Sequence, residues 1–514
     1  MSSKFLLSGV YHTWSWPQIM IGIIVVAVIT FFHVWQLDKM PRGLYLDESS
    51  IGYNAALIAE SGHDQFNKPF PIFFRSLEDY KSPLHIYGVA TIFKIFGPSV
   101  YLLRLTSALF FLLFIALFSI LVQRLFQLPY VTLLLMGVAG FLPWIFPLSR
   151  IAFEVVSQLP FITGWLLFLH LAYIQPSKKI PPHSAAILAG IFLALSLYAY
   201  STSRLLAWLF LGVWLLIFWK KDRQLTLRGL AAFLVTALLY GIFIATNPGA
   251  LTRRFALVGY IHKESLTIGD KVLLFIEQYT KHFLPDFLLK NGDLNLRHGI
   301  GETGAVSLTC LALLLVGIWY AVQNRHIYKD KFLQLILAST LVAPIAAALT
   351  TGEGGNTLRT AALAICFLIL SAYGAAVIWK HPQTRVYTIV LAVLLVLEAS
   401  TYLQTYFSTY AAISENWFQS YDLASALEYA ATQAPTIVIS PSHPHIQTHL
   451  DFYRLATPFL NQVSIKIAKP SLGPNQCVVT GIFESLGTGV NIKNQKKMGL
   501  FTVTCSPVMS QAAQ

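Results

Sequence analysis

About eleven runs of mostly apolar residues, each near the ~20 needed to cross a bilayer, divide this chain. They cover roughly 17–36, 99–122, 128–148, 153–174, 184–201, 204–219, 227–246, 304–322, 332–350, 358–379 and 385–406. Only a hydrocarbon environment satisfies so many spans. Charged residues make up 11% of the 514 positions, against about 25% in soluble domains. That balance excludes a water-soluble multidomain enzyme and intrinsic disorder. The expected class is a polytopic α-helical membrane protein.

The 36 Lys and Arg against 23 Asp and Glu give a net charge of +13. The basic residues fall in short loops between apolar runs, so they speak of topology and not of nucleic acid. Alternate loops carry Arg124; Lys178 and Lys179; Lys220, Lys221, Arg223 and Arg228; Arg325, Lys329 and Lys331; Lys380 and Arg385. The other short turns hold single arginines, Arg150, Arg204 and Arg359. The first set reads as cytoplasmic, which puts the N-terminus inside and the C-terminal tail outside a cell membrane. The first span has no A-x-A-like cleavage site after it and reads as a retained anchor. Two long loops, 37–98 and 247–303, then share the outer face.

The expected organisation is a transmembrane domain over 1–406 and an extracytoplasmic α/β domain over 407–514. In that tail Ser414–Thr432 has helical composition, and Thr436–Ser440, Cys477–Thr480 and Phe501–Cys505 read as strands. Cys477 and Cys505 can pair if the tail meets an oxidising compartment. Cys310 and Cys366 lie in apolar runs.

The first outer loop carries most of the chemistry. It opens with Leu46-Asp47-Glu48-Ser49-Ser50, followed by an apolar helical pattern stopped at Gly62. Asp47 and Glu48 read either as acids favoured by a helix start or as a general base at the membrane surface. A second helix is expected from Ser82-Pro83, with Ser as cap and Pro at the first position. Its apolar face, Ile86, Val89, Ala90, Phe93 and Phe96, is expected to lie in the membrane interface. Lys81 reads either as a lysine reaching for the headgroups or, just before a helix N-terminus, as part of a phosphate site.

Taken in order, Asp47-Glu48, Gly62-His63-Asp64, Tyr80-Lys81-Ser82-Pro83-Leu84 and Ser149-Arg150-Ile151-Ala152-Phe153-Glu154 resemble the GT-C glycosyltransferases. The resemblance is to the branch of protein O-mannosyltransferases and lipid A aminoarabinose transferases, glycosyltransferase families 39 and 83. It implies GT-C architecture through about residue 406, an acidic base in the first outer loop, and a K-x-P-L segment that contacts donor phosphate. It further implies a sugar donor on a polyprenyl phosphate, with Asp47 as base, Glu48 as its neighbour and Lys81 on phosphate. Arg150 and Glu154 match the family's arginine and downstream acid. Ser82 stands where the aminoarabinose branch has a first proline. The His-Pro-Pro-Leu pattern and inserted domains of the mannosyltransferase branch are missing. The resemblance therefore leaves the acceptor open among protein, lipid and glycan.

Chemistry points the same way. A polyprenyl phosphate leaves readily, so no protein acid is needed, in contrast to glycoside hydrolysis. One base for the acceptor and fixed cations for the departing phosphate suffice, and a single displacement inverts the anomeric carbon. Further candidates for donor or substrate contact are Arg297 and His298, in the Gly/Asn-rich 291–301 segment, and Arg359. Arg297 and His298 read equally as part of an ordinary turn. Arg359 opens a helix against the dipole, which calls for an anion nearby. Arg253 and Arg254 read as lipid-headgroup contacts.

No cofactor is called for. A divalent metal is compatible with the reaction but not indicated, since His445 and His449 lack a second ligand pair at metal spacing; with His443 and Asp451 they read as a solvated helix face. The rival classes are a flippase or transporter of lipid-linked sugars, and an outer-face polysaccharide ligase or polymerase. A transporter would carry charges near mid-membrane and a twofold repeat; here the conspicuous charges cluster at one surface and the two halves do not echo each other.

Overall fold

The computed structural model describes residues 14–76, 79–323, 328, 330–443, 445–481, 484 and 495–506. Arg325 and Lys329, counted above among the inner-loop basic residues, lie outside them. In chain order the elements are α1 (Trp16–Val34), α2 (Leu46–Ser61), β1 (Phe74–Ser76), β2 (Asp79–Lys81), α3 (Pro83–Phe96) and α4 (Val100–Phe126). There follow α5 (Pro129–Gly140), α6 (Val155–Tyr173), α7 (Pro182–Leu195), α8 (Ser203–Phe218), α9 (Arg223–Thr246) and α10 (Ile268–Thr280). Next come α11 (Leu308–Val322), α12 (Lys331–Val342), α13 (Ala361–Lys380) and α14 (Arg385–Phe407). The tail holds α15 (Leu423–Gln433), β3 (Thr436–Ile439), α16 (Ile446–Ala456), β4 (Ser464–Ile467), β5 (Gln476–Gly481), β6 (Gln495–Met498) and β7 (Phe501–Cys505).

The chain divides into two compact units. The first is Met1–Trp35, Pro71–His85 and Ser107–Tyr406; the second is Gln36–Phe70, Ile86–Thr106 and Phe407–Gln514.

Each of the eleven apolar runs contains a helix, and the chain is a multi-pass membrane protein. Among the described residues seven helices are long and apolar enough to cross: α1, α4, α6, α9, α12 continued to Ala348, α13, and the stretch Pro382–Ile413 around α14. The other four runs hold shorter apolar helices, α5, α7, α8 and α11. At 1.5 Å per residue these are too short for a straight ~30 Å crossing. The remainder of two of those runs is spent on the short helix Phe146–Ser149 and the 3-10 turn Ser196–Tyr198.

In the first unit α6 and α13 form the interior, with 89% of the most apolar stretch buried in each, against 11% in α1. Where lipid supplies no hydrophobic drive between helices, small residues let backbones approach. α11 meets α13 in this way: a Cβ on Gly374 would sit 2.0 Å from the Leu313 carbonyl oxygen, and one on Gly317 2.0 Å from that of Leu370.

In the second unit the tail is an α/β domain with sheet order β4-β3-β5-β7-β6. β3 is parallel to β4 and β5, while β7 is antiparallel to β5 and β6. Cys477 and Cys505 stand opposite each other on β5 and β7 and form a disulfide. α16 packs against α2.

The apolar face expected of α3 in the membrane interface is turned inward instead. Ile86, Val89, Ala90 and Phe93 are buried and only Phe96 is exposed, at 71%. The reason is a partner absent from the local pattern: Phe93 stacks on Phe452 of α16, with ring centroids 6.4 Å apart. The amphipathic helix with an exposed apolar stripe is α10, in the second long loop. It shows Ile268, Val272, Leu273 and Ile276 and is capped by Thr267 and Asp270.

Candidate active site

The start of α2 separates the two acids of the first outer loop. Successive helical residues point about 100° apart; Asp47 is half-buried while Glu48 is fully enclosed. Glu48 accepts the backbone N–H of Tyr45 at 3.1 Å, a cap that its place three residues on allows. Both its oxygens also meet Arg104 of α4, from Nε at 2.8 Å and Nη2 at 3.0 Å. The remaining three donors of that guanidinium go to the carbonyls of Leu37, Pro41 and Gly43. All five N–H groups are therefore used. Arg104 welds the approach to α2 into one shape, and Glu48 belongs to that framework.

Elements of the tail hold the same helix. Ser49 Oγ lies 2.8 Å from His449 Nδ1, and the Phe452 ring fills the space beside Gly52, where a Cβ would be 2.5 Å from a ring carbon. Ser420 Oγ accepts the Leu44 N–H at 2.7 Å and lies 3.0 Å from Tyr453 Oη. Burial, with His443 and His445 nearby, pushes the His449 imidazole down to about 3, so it is neutral. Among the described residues no three His, Cys, Asp or Glu side chains gather as a metal would require.

In the first unit Lys81 ends the β1–β2 hairpin, opposite Phe74, and is largely buried. The peptides on both sides of it are held. Glu154, just before α6, accepts the Ser82 N–H. Arg204 donates to the Tyr80 carbonyl at 2.8 Å and reaches Ser82 Oγ at 3.3 Å. Arg150, four residues before Glu154, donates instead to the carbonyls of Phe32 and Trp35 at the C-terminal end of α1, where a cation complements the dipole. The chain between Arg150 and Glu154 turns and does not continue a helix.

The 291–301 segment is built around a carboxylate. Asp293 is buried and accepts from His298 Nδ1 at 2.7 Å, the Thr357 N–H at 2.8 Å and the Asn295 N–H at 2.9 Å. Burial raises its pKa, but His298 and those N–H donors outweigh burial and hold it below the usual carboxylate range. Thr357 also donates its hydroxyl to the His298 carbonyl at 3.0 Å, tying this loop to the turn that carries Arg359. Arg359 donates to Thr350 Oγ, and its backbone N–H to Asn356 Oδ1 at 2.8 Å. Arg297 bonds within its own loop, from Nε to Asn295 Oδ1 at 3.1 Å. His298 and the Arg359 turn thus come together, while Arg150 serves α1.

No protein-family profile and no curated protein sequence matches the chain. Solved structures do. ArnT from Cupriavidus metallidurans, bound to undecaprenyl phosphate, is similar at a TM-score of 0.55 and 12% identity, over 96% of this chain and 100% of that one. Its apo state gives 0.56 at 13% identity, over 96% and 99%. The chain has the GT-C fold. The Archaeoglobus fulgidus oligosaccharyltransferase in its apo form is similar at 0.55 and 15% identity, over 89% of this chain and 65% of that one. The same organism's AglB, in complex with an inhibitory peptide and a dolichol-phosphate, gives 0.51 at 14% identity, over 91% and 69%.

Two residues central to this GT-C framework escape the sequence reading. Arg104 carried a signal, being a lone cation inside an apolar run, which marks a group with a dedicated partner. Asp293 did not, since an acid in a Gly/Asn turn is commonplace.

Proposed function

We propose that this protein transfers a sugar from a polyprenyl-phosphate donor to an acceptor at the outer face of the cell membrane, with inversion at the anomeric carbon. The carrying observation is the fold, shared over the full length of ArnT, a protein whose structure contains undecaprenyl phosphate. AglB, seen with dolichol-phosphate and a peptide, supports a polyprenyl or dolichyl carrier as the donor class. Asp47 is assigned as the base that takes the acceptor's proton: it retains exposure, whereas Glu48 is committed to Arg104. Lys81 is assigned to the donor phosphate, as a compact cation that neutralises charge on the leaving group. His298, Arg297 and Arg359 are assigned to donor or acceptor contact. No cofactor enters this reading.

The orientation that goes with it has the N-terminus in the cytoplasm and the tail outside. Two features support it: the bias of Lys and Arg among the short loops, and the Cys477–Cys505 disulfide, a bond that persists in oxidising compartments.

The test is turnover of undecaprenyl-phosphate-linked sugars by the purified protein in detergent. Asp47→Asn should abolish transfer while leaving folding and binding of undecaprenyl phosphate intact. Wild-type turnover by that variant would remove Asp47 as base, and no turnover of any such donor by the wild type would count against the reaction class.

A further inference from the structure

From the bonds around the β1–β2 hairpin we propose that Arg204 is a positioning residue for Lys81, setting where its ammonium stands when a polyprenyl phosphate binds. This rests on the phosphate role assigned above to Lys81.

A hairpin of two three-residue strands does not hold its shape alone. Something outside it must fix Lys81, whose four-carbon stem is flexible. Arg204 does so at three points. Its Nη2 meets the Tyr80 carbonyl at 2.8 Å, on the peptide that leads into Lys81. The same nitrogen lies 3.3 Å from Ser82 Oγ, immediately after it. Its guanidinium lies over the Phe73 ring, 5.2 Å from the centroid, beside the first strand. Nη1 reaches the Leu251 carbonyl at 3.3 Å and anchors the group from the far side.

The location of Arg204 argues for a purpose. It is the second residue of α8, where a cation opposes the helix dipole, and among the described residues its hydrogen bonds go to neutral oxygens. Compensation comes from the field of Asp79 and Glu154; Glu154 holds the Ser82 N–H. A cation and an anion from two different helix starts therefore grip the peptides on either side of Lys81. Misplacing a charged group by about 1 Å can cost on the order of a hundredfold in a preorganised site, so the grip reaches function through Lys81.

The test is a double-mutant cycle on the full-length protein in detergent, reading the Kd for undecaprenyl phosphate. Arg204→Ala should weaken binding about tenfold in the wild-type background and less than twofold in Lys81→Ala, because there is no ammonium left to misplace. Arg204→Lys, which keeps the charge and one carbonyl contact, should recover part of the loss and guards against a misfolded alanine variant. Equal losses in both backgrounds would overturn the positioning role while leaving the phosphate role of Lys81 standing. If Lys81→Ala binds as tightly as wild type, the phosphate role falls, and with it this proposal. Absence of binding by the wild type would count against the donor class itself.

Discussion

Glu48 presents both carboxylate oxygens to the guanidinium of Arg104, at 2.8 and 3.0 Å, with neither side chain exposed to solvent. Fifty-six positions separate them in the chain. The pair fixes the first turn of α2, one residue along from the proposed base.

Breaking a buried pair from one side leaves a charge with no water and no counterion. Arg104→Met should therefore cost about 3–5 kcal/mol, read as a fall in the apparent melting temperature. Glu48→Leu combined with Arg104→Met should recover part of that loss. Recovery stays incomplete because the carbonyls of Leu37, Pro41 and Gly43 lose their donors in either case. A melting temperature unchanged by Arg104→Met would contradict the weld.

Asp293 holds His298 of its own loop and joins that loop to the next through Thr357. Asp293→Ala should strand three donors at about 1–3 kcal/mol each, the larger figure applying to charged partners. Trypsin provides the readout, since Arg297 lies in one loop and Arg359 in the other. Cleavage at both sites should accelerate together; acceleration at Arg297 alone would show the loops to be independent.

His449 should make the second unit sensitive to acid. Its imidazole titrates near 6.5 when unfolded and near 3 when folded, mainly from burial. The unfolded chain therefore binds the extra proton between those values. Stability is fully present above about 6.5 and declines as pH falls toward 3, by at most about 1.4 kcal/mol per pH unit. His449→Gln should flatten the melting temperature between pH 5 and 7; an equally steep profile would show that His449 is not the source of the sensitivity.

The disulfide closes a separation of 28 residues across β5 and β7. Chain-entropy arithmetic puts its contribution at about 3–4 kcal/mol. Cys477→Ser with Cys505→Ser should lower the melting transition of the tail, and dithiothreitol should do the same to the wild type. A transition indifferent to both would show that the sheet alone holds the domain.

The local pattern of the chain was enough to find the helices of the membrane domain. Apolar runs are set by composition within about twenty residues, and lipid reads composition directly. β3, β5 and β7 were legible for a similar reason, being short β-branched runs. β4 and β6 were not: Ser464-Ile465-Lys466-Ile467 and Gln495-Lys496-Lys497-Met498 are polar edge strands, with charges that look like loop.

The chemistry divides along the same line. The sequence by itself supplied the acids at 47, 48 and 154, the lysine at 81 and the arginines at 150, 204 and 359. Tertiary structure decided where several of them bond. Glu48 went to Arg104, Arg150 to the end of α1, and Glu154 to a backbone N–H beside Lys81. Residue type and spacing announce a charge, but a buried charge takes its role from whichever partner folding brings within about 3 Å, and that partner is set by packing between elements distant in the chain.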